Sequence, residues 1–285
     1  MPAKLLDGQS LANEMKVKAR EKVELLKGRG IPVGLGTILV GDDGPSANYV
    51  AMKHKDCSEV GVTSFHRHLS KGASLSEILE AVEEFNDSPD VSAFIVQLPL
   101  PDPDIEEEVL DKVLPAKDAD GLHPVNLGKL VMSKPGILPC TPAGILKLLQ
   151  RYDIAVEGRR VVIVGRGLTV GRPLALLLSS SLPGCNAAVT VVHSRVKDIG
   201  EILCEADVIV SAAGVPGIIR SEFVKIGAVV VGAGTSFDGR RLLSDLEDGV
   251  AEVASFVTPR IGGVGPMTRA MLVENTVLAA ERKAV

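Results

Sequence analysis

Tryptophan is absent, and six phenylalanines and two tyrosines are the only aromatic residues among 285. So thin a supply leaves little for a platform on which successive bases stack. An excess of cations is missing as well: 31 Lys and Arg stand against 36 Asp and Glu, a net charge of −5. Phosphate backbones need a basic stripe, so no nucleic-acid partner is expected. Long hydrophobic runs are lacking. The most apolar window, Asp207 to Ile219, falls well short of the ~20 residues of a spanning helix, so no membrane partner is expected. The opening MPAKLLDGQS has no apolar stretch of the kind a secretory signal carries. Cysteine is scarce. Cys57, Cys140, Cys185 and Cys204 form no C-x-x-C pair, which argues against a zinc knuckle or a disulfide framework and for a reducing, cytoplasmic setting with no metal.

What is present is an ordinary globular composition, 46% apolar and 24% charged, in a chain long enough for about two domains of ~150 residues. Leu11, Met15, Ala19, Val23 and Leu26 mark a helix face ending near Gly28 and Gly30. Val33–Val40 reads as a buried strand, followed by a turn through Asp43 and a helix to about Val60 that Ser46 would cap. Val62–Leu69 is a weaker, alternating strand. Ser74 and Glu77 form a capping box ahead of a helix with Leu75, Ile78, Leu79, Val82 and Phe85 on one face, and Val91–Gln97 is the next strand. Between Pro99 and Pro142, prolines leave room for one short helix at about 105–114, the rest reading as ordered loop and linker. Thr141 then caps a helix whose first residue is Pro142. The alternation resumes with strands at 160–164, 187–192, 207–212 and 228–231, helices around 174–178 and 198–206, and a last helix at 267–283. The expected fold is α/β, with two α/β domains flanking a cleft, the second a Rossmann-type doubly wound parallel sheet. Residues 1–140 with 265–285 form one domain and 141–264 the other.

Strand Val161–Val164 runs directly into Gly165-Arg166-Gly167-Leu168-Thr169-Val170-Gly171. Glycines let backbone approach a pyrophosphate, and the helix that follows offers unpaired N–H groups. The spacing is one residue longer than the usual dinucleotide fingerprint. Taken by itself the loop is a weak signal, a plain strand-to-helix turn being the alternative, and the strand before it and helix after it favour the functional reading. The next strand ends in His193-Ser194-Arg195 with Lys197 nearby, a hydroxyl and cations where NAD enzymes carry a carboxylate; that suits the 2′-phosphate of NADP, or else is a solvated basic turn.

Tyr49 and Lys53 lie four apart on one helix face, where a lysine is otherwise merely solvated. Short-chain dehydrogenases share the Y-x-x-x-K string but carry it after the glycine loop, whereas Lys53 precedes Gly165. Gln97 closes a buried strand, at the end where open parallel sheets hold ligands, or serves the loop backbone there. Of Asp118 and Asp120, one is readily a turn aspartate. Gly262–Pro266 is a flexible arc before the last helix, either a connector or a wall approaching ligand.

The strings YVAMK (Tyr49–Lys53), VQLPLP (Val96–Pro101), KDADGLHPVN (Lys117–Asn126), PCTPAGI (Pro139–Ile145), VGRP (Val170–Pro173) and GGVGPMT (Gly262–Thr268) occur in this order. Through them the chain resembles, over nearly its whole length, the bifunctional methylenetetrahydrofolate dehydrogenase/methenyltetrahydrofolate cyclohydrolase family. The resemblance implies NADP-dependent oxidation of methylene-tetrahydrofolate, hydrolysis of the methenyl product to 10-formyl-tetrahydrofolate, and a cytosolic homodimer. It makes Lys53 the catalytic lysine, with Gln97 hydrogen-bonded near it and Asp120 on the pterin edge. Tyr49 would pack on the aminobenzoate ring, and Val96, Leu98 and the arc Ile261, Gly262, Gly263, Val264 and Gly265 would complete the folate site. Gly165, Arg166, Gly167, Ser194 and Thr235 would bind NADP, with Arg166 and Ser194 on its 2′-phosphate. The chain departs from the family pattern at Gly167 (usually Ser), Gly232 (usually Asp), Thr235 (usually Ile) and Ile261 (usually Pro). A different NADP dehydrogenase on a related two-domain plan, or an NADP-responsive binding protein without turnover, are the competing readings.

Overall fold

The structure, a computed structural model, describes residues 2–42, 44–239 and 241–283. It divides into two compact units, each discontinuous in sequence. One comprises Asn13–Gly128, Gly136–Cys140 and the chain from Arg269 onward; the other comprises the residues up to Ala12, Lys129–Pro135 and Thr141–Thr268. Each carries a parallel sheet, as strands separated by helical crossovers must. In chain order the elements are β1 (Lys4–Leu5), α1 (Gly8–Gly28), β2 (Gly34–Val40), α2 (Gly44–Val60), β3 (Thr63–Leu69), α3 (Leu75–Asp87), β4 (Ala93–Val96), α4 (Glu106–Asp111), α5 (Pro124–Val131) and α6 (Cys140–Arg151). There follow β5 (Arg160–Val164), α7 (Gly171–Ser179), β6 (Ala188–Val192), α8 (Ile199–Leu203), β7 (Val208–Ser211), β8 (Val229–Gly232), β9 (Thr235–Asp238), β10 (Arg241–Ser244), α9 (Val250–Val253), β11 (Phe256–Val257) and α10 (Val264–Lys283).

The smaller sheet has the order β3-β2-β4. Its middle strand, GLGTILV, is buried along its whole length, which is why it reads as a continuous apolar run instead of an alternation. The edge strand β3 is mostly exposed and carries His66, Arg67 and His68, polar residues that discourage further pairing. Behind the sheet, α3 starts at the capping box: Ser74 Oγ accepts the Glu77 N–H and the Glu77 carboxylate accepts the Ser74 N–H. Its Ile78, Val82 and Phe85 pack on Ile38, Val40 and Phe94. Phe85 meets Phe94 edge-to-face at 5.6 Å, and a side chain on Gly36 would stand 2.8 Å from both. Truncating Phe85 to Ala costs about 3–5 kcal/mol in such a core. One more run joins this sheet beyond β4, since Phe94 N–H donates to Lys117 O and Ala119 N–H to Phe94 O.

The larger sheet has the order β1-β11-β8-β7-β5-β6, every pair parallel. From β5 the chain steps outward to β6 and then returns to the other side of β5 to form β7. The reversal opens a crevice at the carboxyl ends of β5 and β7, the place where doubly wound sheets take ligands. Val162, Val164, Ile209 and Val230 fill the core on one face with Leu203, Val250 and Val257.

Several boundaries differ from the reading of the sequence. A proline-bounded stretch read as loop contains α5, because Pro124 occupies the first helical position, where its missing N–H costs nothing. The last helix begins at Val264, so Val264, Gly265 and Pro266 form its first turn and only the start of the expected arc remains. Helix α2 begins at Gly44, ahead of Ser46, and the Asp43 of the expected turn lies outside the described residues. Helix α6 starts at Cys140, which puts Thr141 inside its first turn, bonded to Thr268 Oγ1 at 3.0 Å. Helix α8 ends at Leu203, earlier than expected. The antiparallel hairpin β9–β10 was not anticipated; its signal is Gly239, which lies between the paired Asp238 and Arg241 and takes φ +59°.

Candidate active site

Helix α2 places Tyr49 and Lys53 one turn apart, and the Lys53 amine sits 4.7 Å from the Tyr49 ring centroid. Its Nζ donates to Gln97 Oε1 at 2.9 Å. Gln97 follows β4 directly. Its backbone N–H donates to Ile38 O, and its side-chain Nε2 donates to Leu98 O at 2.7 Å, so the amide is held at both ends and turns its oxygen to the lysine. Lys53 is only 4% exposed. Burial holds its amine below the ordinary lysine value, while the nearby Asp120 carboxylate works against that with smaller effect. Burial likewise pushes the Asp120 carboxyl up, and the Lys53 ammonium opposes it. A neutral partner at Gln97 leaves the amine free to change charge; a carboxylate there would lock it protonated.

The two aspartates of the KDADG segment have separate jobs. Asp118 is the turn aspartate: Oδ1 accepts the Gly121 N–H, and Oδ2 accepts from His123 N–H and Asn126 Nδ2. That fixes the loop and leaves Asp120, two residues on, near Lys53. Asn275 of α10 completes the support, donating to Ala119 O at 2.9 Å and Leu138 O at 3.0 Å. Sequence reasoning missed it; a lone asparagine at helical spacing from Met271, Leu278 and Ala279 was the available signal, and the structure buries it. The Val96 side chain is buried in the core and that of Leu98 packs, partly buried, against it. Lys53, Tyr49, Gln97 and Asp120 are thus brought together within the unit of the smaller sheet. The arc belongs to the other unit: Ile261 is 78% exposed, Gly262 has φ +89° with its carbonyl accepting the Gln9 N–H, and Gly263 and Val264 are buried.

In the larger-sheet unit a cavity of about 990 Å³ opens at the switch point. Gly165, Arg166 and Gly167 after β5, His193 and Ser194 after β6, and Ala212, Ala213 and Val215 after β7 line it. Gly165 has φ +115°, and a Cβ on it would overlap the Ala212 carbonyl; a Cβ on Gly171 would overlap the Gly165 carbonyl. Nothing lies within 4 Å of the place where Gly167 would carry one. The loop is therefore closed tightly at both ends and open in the middle. Arg220, its guanidinium 4.2 Å over the Phe223 ring, lines the far wall, and neither residue was singled out from sequence. Asp198 and Glu201 also line the cavity, further along the chain than the His193-Ser194-Arg195 end of β6, which carries no carboxylate. Thr235 is not among the lining residues, since it opens the hairpin strand β9. Asp245, fully buried, holds the β7 wall: Oδ2 accepts Ser211 Oγ at 2.7 Å and the Ala213 N–H at 2.9 Å.

Family models match both halves of the chain. The tetrahydrofolate dehydrogenase/cyclohydrolase catalytic domain covers residues 6–120, and the NAD(P)-binding domain of the same family covers 139–284. The chain belongs to the tetrahydrofolate dehydrogenase/cyclohydrolase family. It is 54% identical over 284 residues to the bifunctional protein FolD of Syntrophotalea carbinolica, covering 100% of this chain and 98% of that one. Among solved structures, the bifunctional FolD of Campylobacter jejuni superposes with a TM-score of 0.94 at 40% identity, over 99% of each chain. The Trypanosoma brucei enzyme, solved with NADP cofactor and inhibitor, gives a TM-score of 0.94 at 35% identity, over 100% of this chain and 99% of that one. In this family member the glycine-loop cavity lies within the NAD(P)-binding match, and Lys53, Gln97 and Asp120 lie within the catalytic-domain match.

Proposed function

We propose that the chain is a bifunctional one-carbon enzyme, oxidising methylene-tetrahydrofolate to methenyl-tetrahydrofolate with NADP and hydrolysing that product to 10-formyl-tetrahydrofolate. The observation that carries the reading is the buried Lys53 amine, held by a neutral amide oxygen at 2.9 Å beside Asp120.

The glycine-loop cavity fits a dinucleotide. Its volume is that of a cofactor site, its Gly165 and Gly171 have no room for a side chain, and the amino end of α7 follows the loop. Gly165, Arg166 and Gly167 would hold the phosphates, with Ser194 and Arg166 on the 2′-phosphate. NADP supplies the hydride acceptor. For that step the chain's task is orientation, because the methenyl cation is stabilised by the two nitrogens that flank it. Tyr49 offers a ring face for the aminobenzoate, and Asp120 an acceptor for the amino-pyrimidinone edge.

Hydrolysis needs two proton movements. Neutral Lys53 accepts a proton as water attacks the methenyl carbon. The resulting ammonium returns it to the folate nitrogen whose bond to that carbon then breaks. One group serves both only if its pKa lies near the working pH, and burial moves Lys53 in that direction. We read the protein as a cytoplasmic homodimer, a setting with which its four unpaired cysteines agree; no helix among the described residues is long and apolar enough to cross a membrane. Replacing Lys53 by Met is expected to abolish methenyl hydrolysis while NADP binding persists. Unchanged hydrolysis in that variant would remove Lys53 from the mechanism.

A further inference from the structure

One turn beyond Lys53 on α2, Asp56 is 7% exposed and holds two cations. Its Oδ2 accepts Arg269 Nε of α10 at 2.6 Å, and its Oδ1 accepts the Lys16 ammonium of α1 at 3.0 Å. Lys16 also reaches the Glu59 carboxylate. The Lys16 and Arg269 side chains are 15% and 14% exposed, so solvent and salt screen the cluster weakly. Burying such a group returns little stability compared with apolar side chains of the same volume. Its location is the informative feature: a single carboxylate ties two helices to the segment of α2 that bears Tyr49 and Lys53.

We propose that Asp56 and Arg269 are positioning residues for Lys53, fixing the turn that carries the amine and setting, through their balance of charge, the pH range over which it exchanges protons. The inference rests on Lys53 being the general acid–base of hydrolysis. The groups that face the amine are Asp120 beside β4, Cys140 at the start of α6, Cys57 and His54 on α2 itself, and Arg269 on α10. Burial pushes the Cys57 thiol up to about 12 and the Cys140 thiol well above its ordinary value, so both are neutral. Burial holds His54 below the ordinary histidine value, so it too is uncharged at neutral pH. The field at Lys53 therefore comes chiefly from the Asp120 carboxyl and the Arg269 guanidinium, and the guanidinium favours the neutral amine; Asp56 enters through Arg269, whose charge it offsets at 2.6 Å.

The test follows methenyl-tetrahydrofolate hydrolysis against pH in the full-length protein, with the uncatalysed rate subtracted and folding checked by circular dichroism. In Arg269→Met a positive charge is lost, so the acid limb of the profile is expected to move to higher pH by about one unit. In Asp56→Asn a negative charge is lost, and the limb is expected to move to lower pH. Arg269→Lys keeps the charge and restores the wild-type position. If Arg269→Met fails to fold, Asp56→Asn against wild type still carries the sign. Limbs that stay in place, or move in the same direction in both variants while the plateau falls, would reduce the pair to a structural brace and overturn the inference. Lys53→Met, run alongside, separates the two levels: hydrolysis surviving there defeats the proposed function, whereas hydrolysis lost there with unmoved limbs elsewhere defeats only this inference.

Discussion

Replacing Gln97 by Glu changes one heavy atom and tests the proton chemistry directly. The new carboxylate would stand where Oε1 now accepts from Lys53 Nζ, at 2.9 Å. At an effective dielectric of 20, two unit charges that close attract by roughly 5–6 kcal/mol. Much of this is offset, because the carboxylate gives up water and the Leu98 carbonyl loses the Nε2 donor it now has at 2.7 Å, a loss of about 1–3 kcal/mol. What remains is the ordinary effect of an adjacent opposite charge, a rise of about 1–3 pKa units in the amine. The sign is fixed by the mechanism. Lys53 must be neutral to take the proton of the attacking water, so raising its pKa moves the acid limb of hydrolysis upward by the same amount. At neutral pH the rate is expected to fall roughly 10- to 1000-fold, with partial recovery in alkaline buffer. The assay is the pH dependence of methenyl disappearance in wild type and variant. A uniform loss at every pH would make Gln97 a mere spacer, and an unchanged profile would mean that Lys53 moves no proton in the limiting step.

Three further outcomes are expected. Gly165→Ala forces a side chain onto the Ala212 carbonyl at φ +115°, strain on the order of 1–3 kcal/mol; a lowered melting temperature and weakened NADP titration should appear together. Ser194→Asp should shift the ratio of NADP to NAD activity towards NAD by at least about tenfold, the size of a ~1.4 kcal/mol change, and an unaltered ratio would place the 2′-phosphate elsewhere. Asp120→Ala should weaken folate binding by about 1–3 kcal/mol with little change in stability, whereas Asp118→Ala, which frees three donors, should lower the melting temperature. The reverse pattern would exchange the two aspartates' roles.

Where a residue's place depends on its own element, the sequence was legible. Tyr49 and Lys53 share a helix face by spacing alone, the Ser74–Glu77 box starts α3, and the apolar run Val161–Val164 ends at the glycine turn. Groups whose meaning depends on a distant partner were not legible. Choosing between Asp118 and Asp120 needed the Asn126 amide and two backbone donors. Arg269 and Asn275 sit on the last helix, and no spacing ties them to α2 or to the loop they hold. Pro124 misled, because read as an interruption it occupies the first helical position of α5, and the arc ending at Pro266 runs into the first turn of α10.

The departure at Gly232 shows how such distant partners alter the weight of a sequence difference. Judged along the strand, a glycine in place of an aspartate empties the carboxyl end of β8. In three dimensions the position is occupied from the side. A Cβ there would stand 3.0 Å from Leu246 Cγ, and the Gly232 N–H donates to Thr258 Oγ1 at 2.7 Å. Asp245, the residue before Leu246, brings a buried carboxylate to the adjoining β7 end, where it fixes Ser211 and the Ala213 backbone. A Cβ on Gly234 would overlap that carboxylate, so the second glycine of the stretch is required for it to fit. The cavity wall at Ala212 and Ala213 is thus braced without the missing aspartate. The physical consequence is specific: an Asp at Gly232 would bring its Cβ to 3.0 Å from Leu246 Cγ, so that side chain would have to shift to admit it.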